Sequence, residues 1–196
     1  MDPKICINPG RTDHDLSENF STEVGAWLPA KVLDLLRDYF VIRRAFFEYG
    51  IGNGSLSDFS YLITPAFKAL EGTLLHIAQN LQFDVEKYRF RVGWIFRQEE
   101  LDRFYSDVLV RLGELSREER LEIETWLNNA RQILQHLRHT PAHFLAEPQH
   151  PYARAFQTGN AIVFSINEMI RSLLASGIFH KVQLDHIIKT STTLKS

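Results

Sequence analysis

Ser116-Arg117-Glu118-Glu119-Arg120-Leu121-Glu122-Ile123-Glu124-Thr125-Trp126-Leu127 is the stretch from which the fold class can be read. Its first four residues form a capping box: a serine hydroxyl accepts from the backbone three residues on, and a glutamate there reaches back to the serine N–H. Behind the box, Ile123, Trp126, Leu127, Ala130, Ile133, Leu134 and Leu137 recur every three or four residues and draw one apolar stripe. The spacing predicts a helix from Ser116 to about Arg138. Such a stripe must be covered by other elements, so the neighbouring sequence decides between helices and strands as its partners.

Those neighbours are helical. Pro29 suits the start of a helix, and Val32, Leu35, Leu36, Tyr39, Phe40 and Phe46 follow at helical spacing to Tyr49, where Gly50-Ile51-Gly52-Asn53-Gly54 ends the run. A second helix begins near Ser57 or, after a kink, at Thr64-Pro65, with Phe67, Leu70, Leu74, Ala78 and Leu81 on one face. Between Phe83 and about Phe104 the pattern is ambiguous: Lys87 to Val92 alternates like a strand, and Gln98 to Leu112 reads as helix. After a Pro- and His-rich stretch to Tyr152, a last helix carries Ile162, Phe164, Ile166, Met169, Ile170, Leu173 and Leu174 to Gly177. The expectation is an all-α protein: an irregular N-terminal arm at residues 1–28, a bundle of about five helices at 29–180, and a tail at 181–196.

Of the 196 residues, 44% are apolar and 23% charged, an ordinary globular profile. With 22 Lys+Arg against 24 Asp+Glu the formal charge is −2, without the basic surplus of a protein that coats nucleic acid. Any such binding must be local. Cys6, the single cysteine, excludes an internal disulfide, and no apolar run reaches the length of a membrane span. The N-terminal residues lack the apolar core of a secretory signal, so the expected setting is cytoplasmic, with no membrane partner.

Two polar features interrupt the apolar pattern. Glu71 falls where the stripe of Phe67, Leu70, Leu74 and Ala78 calls for a hydrophobe, so its carboxylate is expected to point inward and to need a cationic or donating partner from another helix. A plain interhelical tie is the simplest role for such a group, and Gly72 beside it would allow a close neighbour. The second feature is Arg138-His139-Thr140-Pro141-Ala142-His143 at the end of the long helix, within a segment holding four of the eight histidines. Thr140-Pro141 resembles an N-cap and first helical residue, which would turn the chain so that Arg138 and His143 face one site. Arginine holds phosphate bidentately and histidine moves protons near neutral pH, the two requirements of RNA phosphodiester cleavage.

Other readings of this segment stay open. Cations suit a helix C-terminus through the helix dipole. His136, His139 and His143 would share a face on an unbroken helix and so hold a metal, but Pro141 argues against that continuity. Arg131 and His136 are five residues apart, which turns them about 140° away from each other.

The Arg138-to-His143 segment resembles the R-x4-6-H motif of HEPN-domain ribonucleases, including the polar residue directly after the arginine and the alanine before the histidine. Pro65-Ala66-Phe67-Lys68-Ala69-Leu70-Glu71-Gly72 is similar to the glutamate-bearing helix of the HEPN-like domain in ribonuclease LS-type toxins. The resemblance spans about Ser57 to Gly177, and the chain is far shorter than a full toxin of that type. It implies a homodimeric helical bundle that cleaves single-stranded RNA without metal or other cofactor, leaving a 2′,3′-cyclic phosphate. It further implies a toxin or a phage-defence effector restrained by an antitoxin or activator protein. On this resemblance Arg138 stabilises charge on the scissile phosphate, His143 transfers protons, Glu71 orients the pair, and His139 shapes the site.

Lys87, Arg89 and Arg91, interleaved with Tyr88 and Phe90, form a second candidate RNA contact, although an edge strand or surface loop would show the same alternation. Arg154 and Asn160, early in the last helix, are expected to line the same cleft. A non-catalytic HEPN-like module that binds RNA or a protein partner is the alternative to the enzyme.

Overall fold

A computed structural model describes residues 9–49, 62–83, 115–139 and 151–180, together with residues 103, 106, 107, 110 and 113. Among the described residues nearly all are helical and none lies in a strand, as expected of an all-α chain. The helices are α1 (Pro9–Asn19), α2 (Thr22–Trp27), α3 (Ala30–Tyr49), α4 (Thr64–Asn80), α5 (Arg117–His139) and α6 (Pro151–Ala175).

The helix ends follow from local chemistry. At the start of α5, Ser116 Oγ accepts from Glu119 N at 3.3 Å while Glu119 Oε2 accepts from Ser116 N at 3.0 Å, so the capping box forms in both directions. α4 starts at Thr64-Pro65, where proline's missing N–H costs no helical bond. It closes with Gln82 in the left-handed region (φ 60°) and Phe83 N donating back to Ala78 O at 3.0 Å. α6 gives way at Gly177, whose φ of 64° is open to glycine without strain.

α4 occupies the centre. Ala66, Ala69, Leu70, Thr73, Leu74, Ile77 and Ala78 are buried along it, and Thr73 satisfies its hydroxyl on Ala69 O at 2.8 Å. Small residues let α3 come close: a Cβ on Gly72 would lie 2.9 Å from Val32 Cγ2. α6 packs against α3, α4 and α5 at once, and its Ile162, Ile166, Met169, Ile170 and Leu173 are fully buried. Phe164 departs from the expected stripe. It is 58% exposed and meets the half-buried Trp126 of α5 edge-on, ring centres 5.7 Å apart.

The N-terminal segment corrects the expectation of an irregular arm. Residues 9–27 form α1 and α2, and Leu16, Phe20, Val24 and Leu28, spaced by four, enter the same core as the rest of the chain. Ser21 caps α2 by accepting from Val24 N at 3.3 Å. Asp13 pairs with Arg37 and Asp15 with Arg44, fastening α1 to α3. Acids that read locally as loop residues are ion-pair partners for a later helix. The strand-like alternation at Lys87–Val92 lies outside the described residues.

Candidate functional site

α5 remains helical through His139, so its last turn holds Arg138 and His139, as the apolar stripe predicts. Their side chains, and all of residues 140–150 including His143, lie outside the described residues, as do Lys87, Arg89 and Arg91. Arg154 belongs to the first turn of α6, and its side chain is likewise outside them.

Glu71 is described in full. It sits on the flank of the buried α4 stripe, and its Oε1 is buried with no hydrogen-bond partner among the described residues. Burial pushes its carboxyl above the ordinary glutamate value, and the charge of Lys68, one turn earlier, pulls it partly back. The inward carboxylate expected from the sequence is therefore present. The described part of the molecule supplies no cation from another helix to meet Oε1.

Asn160 is exposed, yet its side chain is tied down. The fully buried Tyr39 of α3 donates its hydroxyl to Asn160 Oδ1 at 2.9 Å and lies 3.3 Å from Phe156 O. The ring fits because residue 159 has no side chain: a Cβ on Gly159 would fall 2.4 to 2.5 Å from Tyr39 Oη, Cε2 and Cζ. Burial pushes the Tyr39 hydroxyl up to about 12, with Arg43 opposing, so the phenol keeps its donor proton at physiological pH. The sequence reading named Asn160 but missed Tyr39. The available signal was a glycine in the middle of an otherwise apolar helix, where it costs stability unless something packs against it.

Contacts across the bundle set the levels of these groups. Ser172 Oγ donates to Glu122 Oε1 at 2.8 Å, and Trp126 meets Phe164, so α5 and α6 run antiparallel. Equal steps along both helices from the Glu122–Ser172 and Trp126–Phe164 pairs bring the backbone of Arg138 level with residues 152–156 of α6, and Asn160 level with residues 130–134 of α5. The Tyr39–Asn160 tie thus lies one to two helical turns before the last turn of α5. Glu71 stands further in. Trp27 packs on His76 and Val32 on Gly72, so α3 and α4 are also antiparallel, with Glu71 beside the start of α3. From there to the Tyr39 layer is about two helical turns, roughly 10 Å.

Among the described residues no helix is long and apolar enough to cross a membrane. No family model, no curated protein and no solved structure matches the chain.

Proposed function

We propose that the protein is a metal-independent endoribonuclease of the HEPN type, acting on single-stranded RNA as a homodimer. The observation that carries the reading is the buried Glu71 Oε1, without a hydrogen-bond partner among the described residues, in a bundle whose next long helix ends in Arg138-His139. A carboxylate taken from water requires a cation or donor, and the Arg138-to-His143 segment is the concentration of such groups closest in kind to the R-x4-6-H motif.

In this proposal Arg138 holds the scissile phosphate bidentately and stabilises the charge that builds there. His143 moves the proton: the 2′-oxygen bonds to phosphorus as it loses its hydrogen, the P–O5′ bond breaks, and the 5′-oxygen leaves protonated. The products are a 2′,3′-cyclic phosphate and a 5′-hydroxyl, with no water consumed. His139 shapes the phosphate site, Glu71 supplies its negative charge from the α4 side, and Lys87, Arg89, Arg91, Arg154 and Asn160 contact the strand. The cytoplasm, a toxin or phage-defence role and restraint by an antitoxin or activator complete the reading. The near-neutral overall charge implies weak, site-focused binding whose salt dependence is shallow, because few phosphates are neutralised.

Wild-type protein incubated with single-stranded RNA in EDTA should produce 2′,3′-cyclic phosphate ends, and Arg138→Ala and His143→Ala should each lower the rate by at least about 100-fold. Equal cleavage by both variants, or no RNA binding and no cleavage by the wild type, overturns the proposal.

A further inference from the structure

Tyr39, Arg43 and Phe47 stand at successive turns on one face of α3, and that face runs antiparallel along α6. Tyr39 donates to Asn160 Oδ1 at 2.9 Å, and the Phe47 ring centre lies 4.9 Å from that of Phe156, one turn earlier in α6. Arg43 sits between these two contacts, and its charge reaches the Tyr39 hydroxyl. It differs from the other half-buried arginines. Arg37 pairs with Asp13 and Asp34, Arg44 with Asp15 and Glu48, and Arg120 with Glu124, whereas Arg43 meets no carboxylate among the described residues. Glu48, close in sequence, is turned to the Arg44 side of the helix. A guanidinium partly taken from water without a counter-charge is costly unless an anion completes it.

Two further groups frame Arg43. At one end Tyr39 holds the Asn160 amide through Oδ1, and Nδ2 has no acceptor among the described residues. At the other end Phe47 is 59% exposed, although Phe46 and Phe156 fix its ring, with centres 5.7 and 4.9 Å away. A fixed aromatic face open to water is a stacking platform, and a cation beside a neutral donor suits a phosphate. We propose that the α3–α6 seam is a nucleotide site: the Arg43 guanidinium and the Asn160 amide hold the phosphate, and the base stacks on Phe47. Arg43 and Phe47 lie outside the Ser57-to-Gly177 stretch of the HEPN resemblance. The site uses no residue of the Arg138 segment, so it stands or falls apart from RNA cleavage.

The test is calorimetric titration of the full chain with adenosine 5′-monophosphate, adenosine and inorganic phosphate. The monophosphate should bind, and the other two should bind at least about tenfold more weakly, because each lacks one half of the recognition. Arg43→Gln should weaken the monophosphate at least about tenfold, through loss of a charge-assisted contact, and leave adenosine unchanged. Phe47→Leu keeps an apolar side chain against Phe156 without a π-face; it should weaken the monophosphate about fivefold or more and leave inorganic phosphate unchanged. Thermal melting checks that both variants fold, and Phe47→Trp, which keeps a stacking face, should bind at least as tightly as wild type. A labelled single-stranded RNA pentamer distinguishes the two sources of such a group. Displacement of the pentamer by the monophosphate assigns the site to a strand, and monophosphate binding without pentamer binding assigns it to free nucleotides. Inorganic phosphate binding as tightly as the monophosphate marks an anion site only and overturns the inference. Absence of monophosphate binding at millimolar concentration, or affinities within about twofold of wild type in both Arg43→Gln and Phe47→Leu, also overturns it. Each of these results leaves the ribonuclease proposal standing.

Discussion

The Tyr39 ring fills the space that a side chain at position 159 would need: a Cβ built on Gly159 falls 2.4 Å from Tyr39 Oη and 2.5 Å from Cε2 and Cζ. Gly159→Ala therefore sets two effects against each other. Alanine gains about 1 kcal/mol of helix propensity over glycine, while forcing a rigid, fully buried ring out of its seat costs about 1–3 kcal/mol. Because backbone and ring meet with no flexible tip to move aside, the clash wins, and thermal unfolding should shift several degrees lower. Gly25, in α2, makes the control: a Cβ there would have nothing within 4 Å, and Gly25→Ala should be neutral or stabilising. Calorimetry of both variants decides the matter, and a Gly159→Ala protein as stable as wild type would refute the steric account.

Glu71→Gln separates stability from activity. Burial raises the Glu71 carboxyl, so the folded state holds this proton more tightly than the unfolded chain does. The linkage sign follows: stability contributed by the protonated form declines as pH rises from the ordinary glutamate value through the folded one, leaving a penalty at neutral pH. Glutamine removes that penalty and keeps the shape, so the variant should melt a few degrees higher at about pH 7.5 and show a smaller gain near pH 4.5. If the carboxylate serves the proposed site, cleavage falls at least about tenfold in the same protein. Full activity with raised stability would mark Glu71 as a purely structural group.

His76 gives the opposite pH signature. Burial against Trp27, with ring centres 4.3 Å apart, lowers its proton affinity, although hydrogen bonds to the Trp27 backbone and to Gln79 oppose the shift. The folded state thus binds the proton less tightly than the unfolded chain. Its contribution is present above the ordinary histidine value near 6.5 and is lost as pH falls through and below it. Urea unfolding at about pH 7.5, 6.5 and 5.5 should show His76→Gln losing less stability than wild type across this range. Parallel losses in the two proteins would contradict the reading.

Four helices were legible in the sequence because each carries a long apolar stripe and a chemical mark at one end: Pro29 before α3, Thr64-Pro65 for α4, the Ser116–Glu119 box for α5, Gly177 after α6. α1 and α2 were not. Of their four core residues, only Leu16 and Val24 lie within the two short helices while Phe20 and Leu28 follow their ends, and Asp13 and Asp15 find their partners, Arg37 and Arg44, only in α3, beyond the reach of any local pattern. Glu71 was legible because a carboxylate beside an apolar stripe has few places to go. The Tyr39–Asn160 tie was hidden for the same reason as α1: residues more than a hundred positions apart meet only after the bundle closes.

The place of α6 in the bundle bears on how the protein comes off the ribosome. Every other described helix lays part of its apolar surface on residues 151–175, so α1 to α5 have no finished core while those residues are still unmade. At synthesis rates of roughly 5–20 residues per second, the first helices wait on the order of ten seconds with α3 and α4 incompletely covered. In that interval the core residues of α3 and α4, Leu36, Leu70 and Leu74 among them, lack the α6 side of their packing. Any site built between α5 and α6 comes into existence only after translation has passed α6.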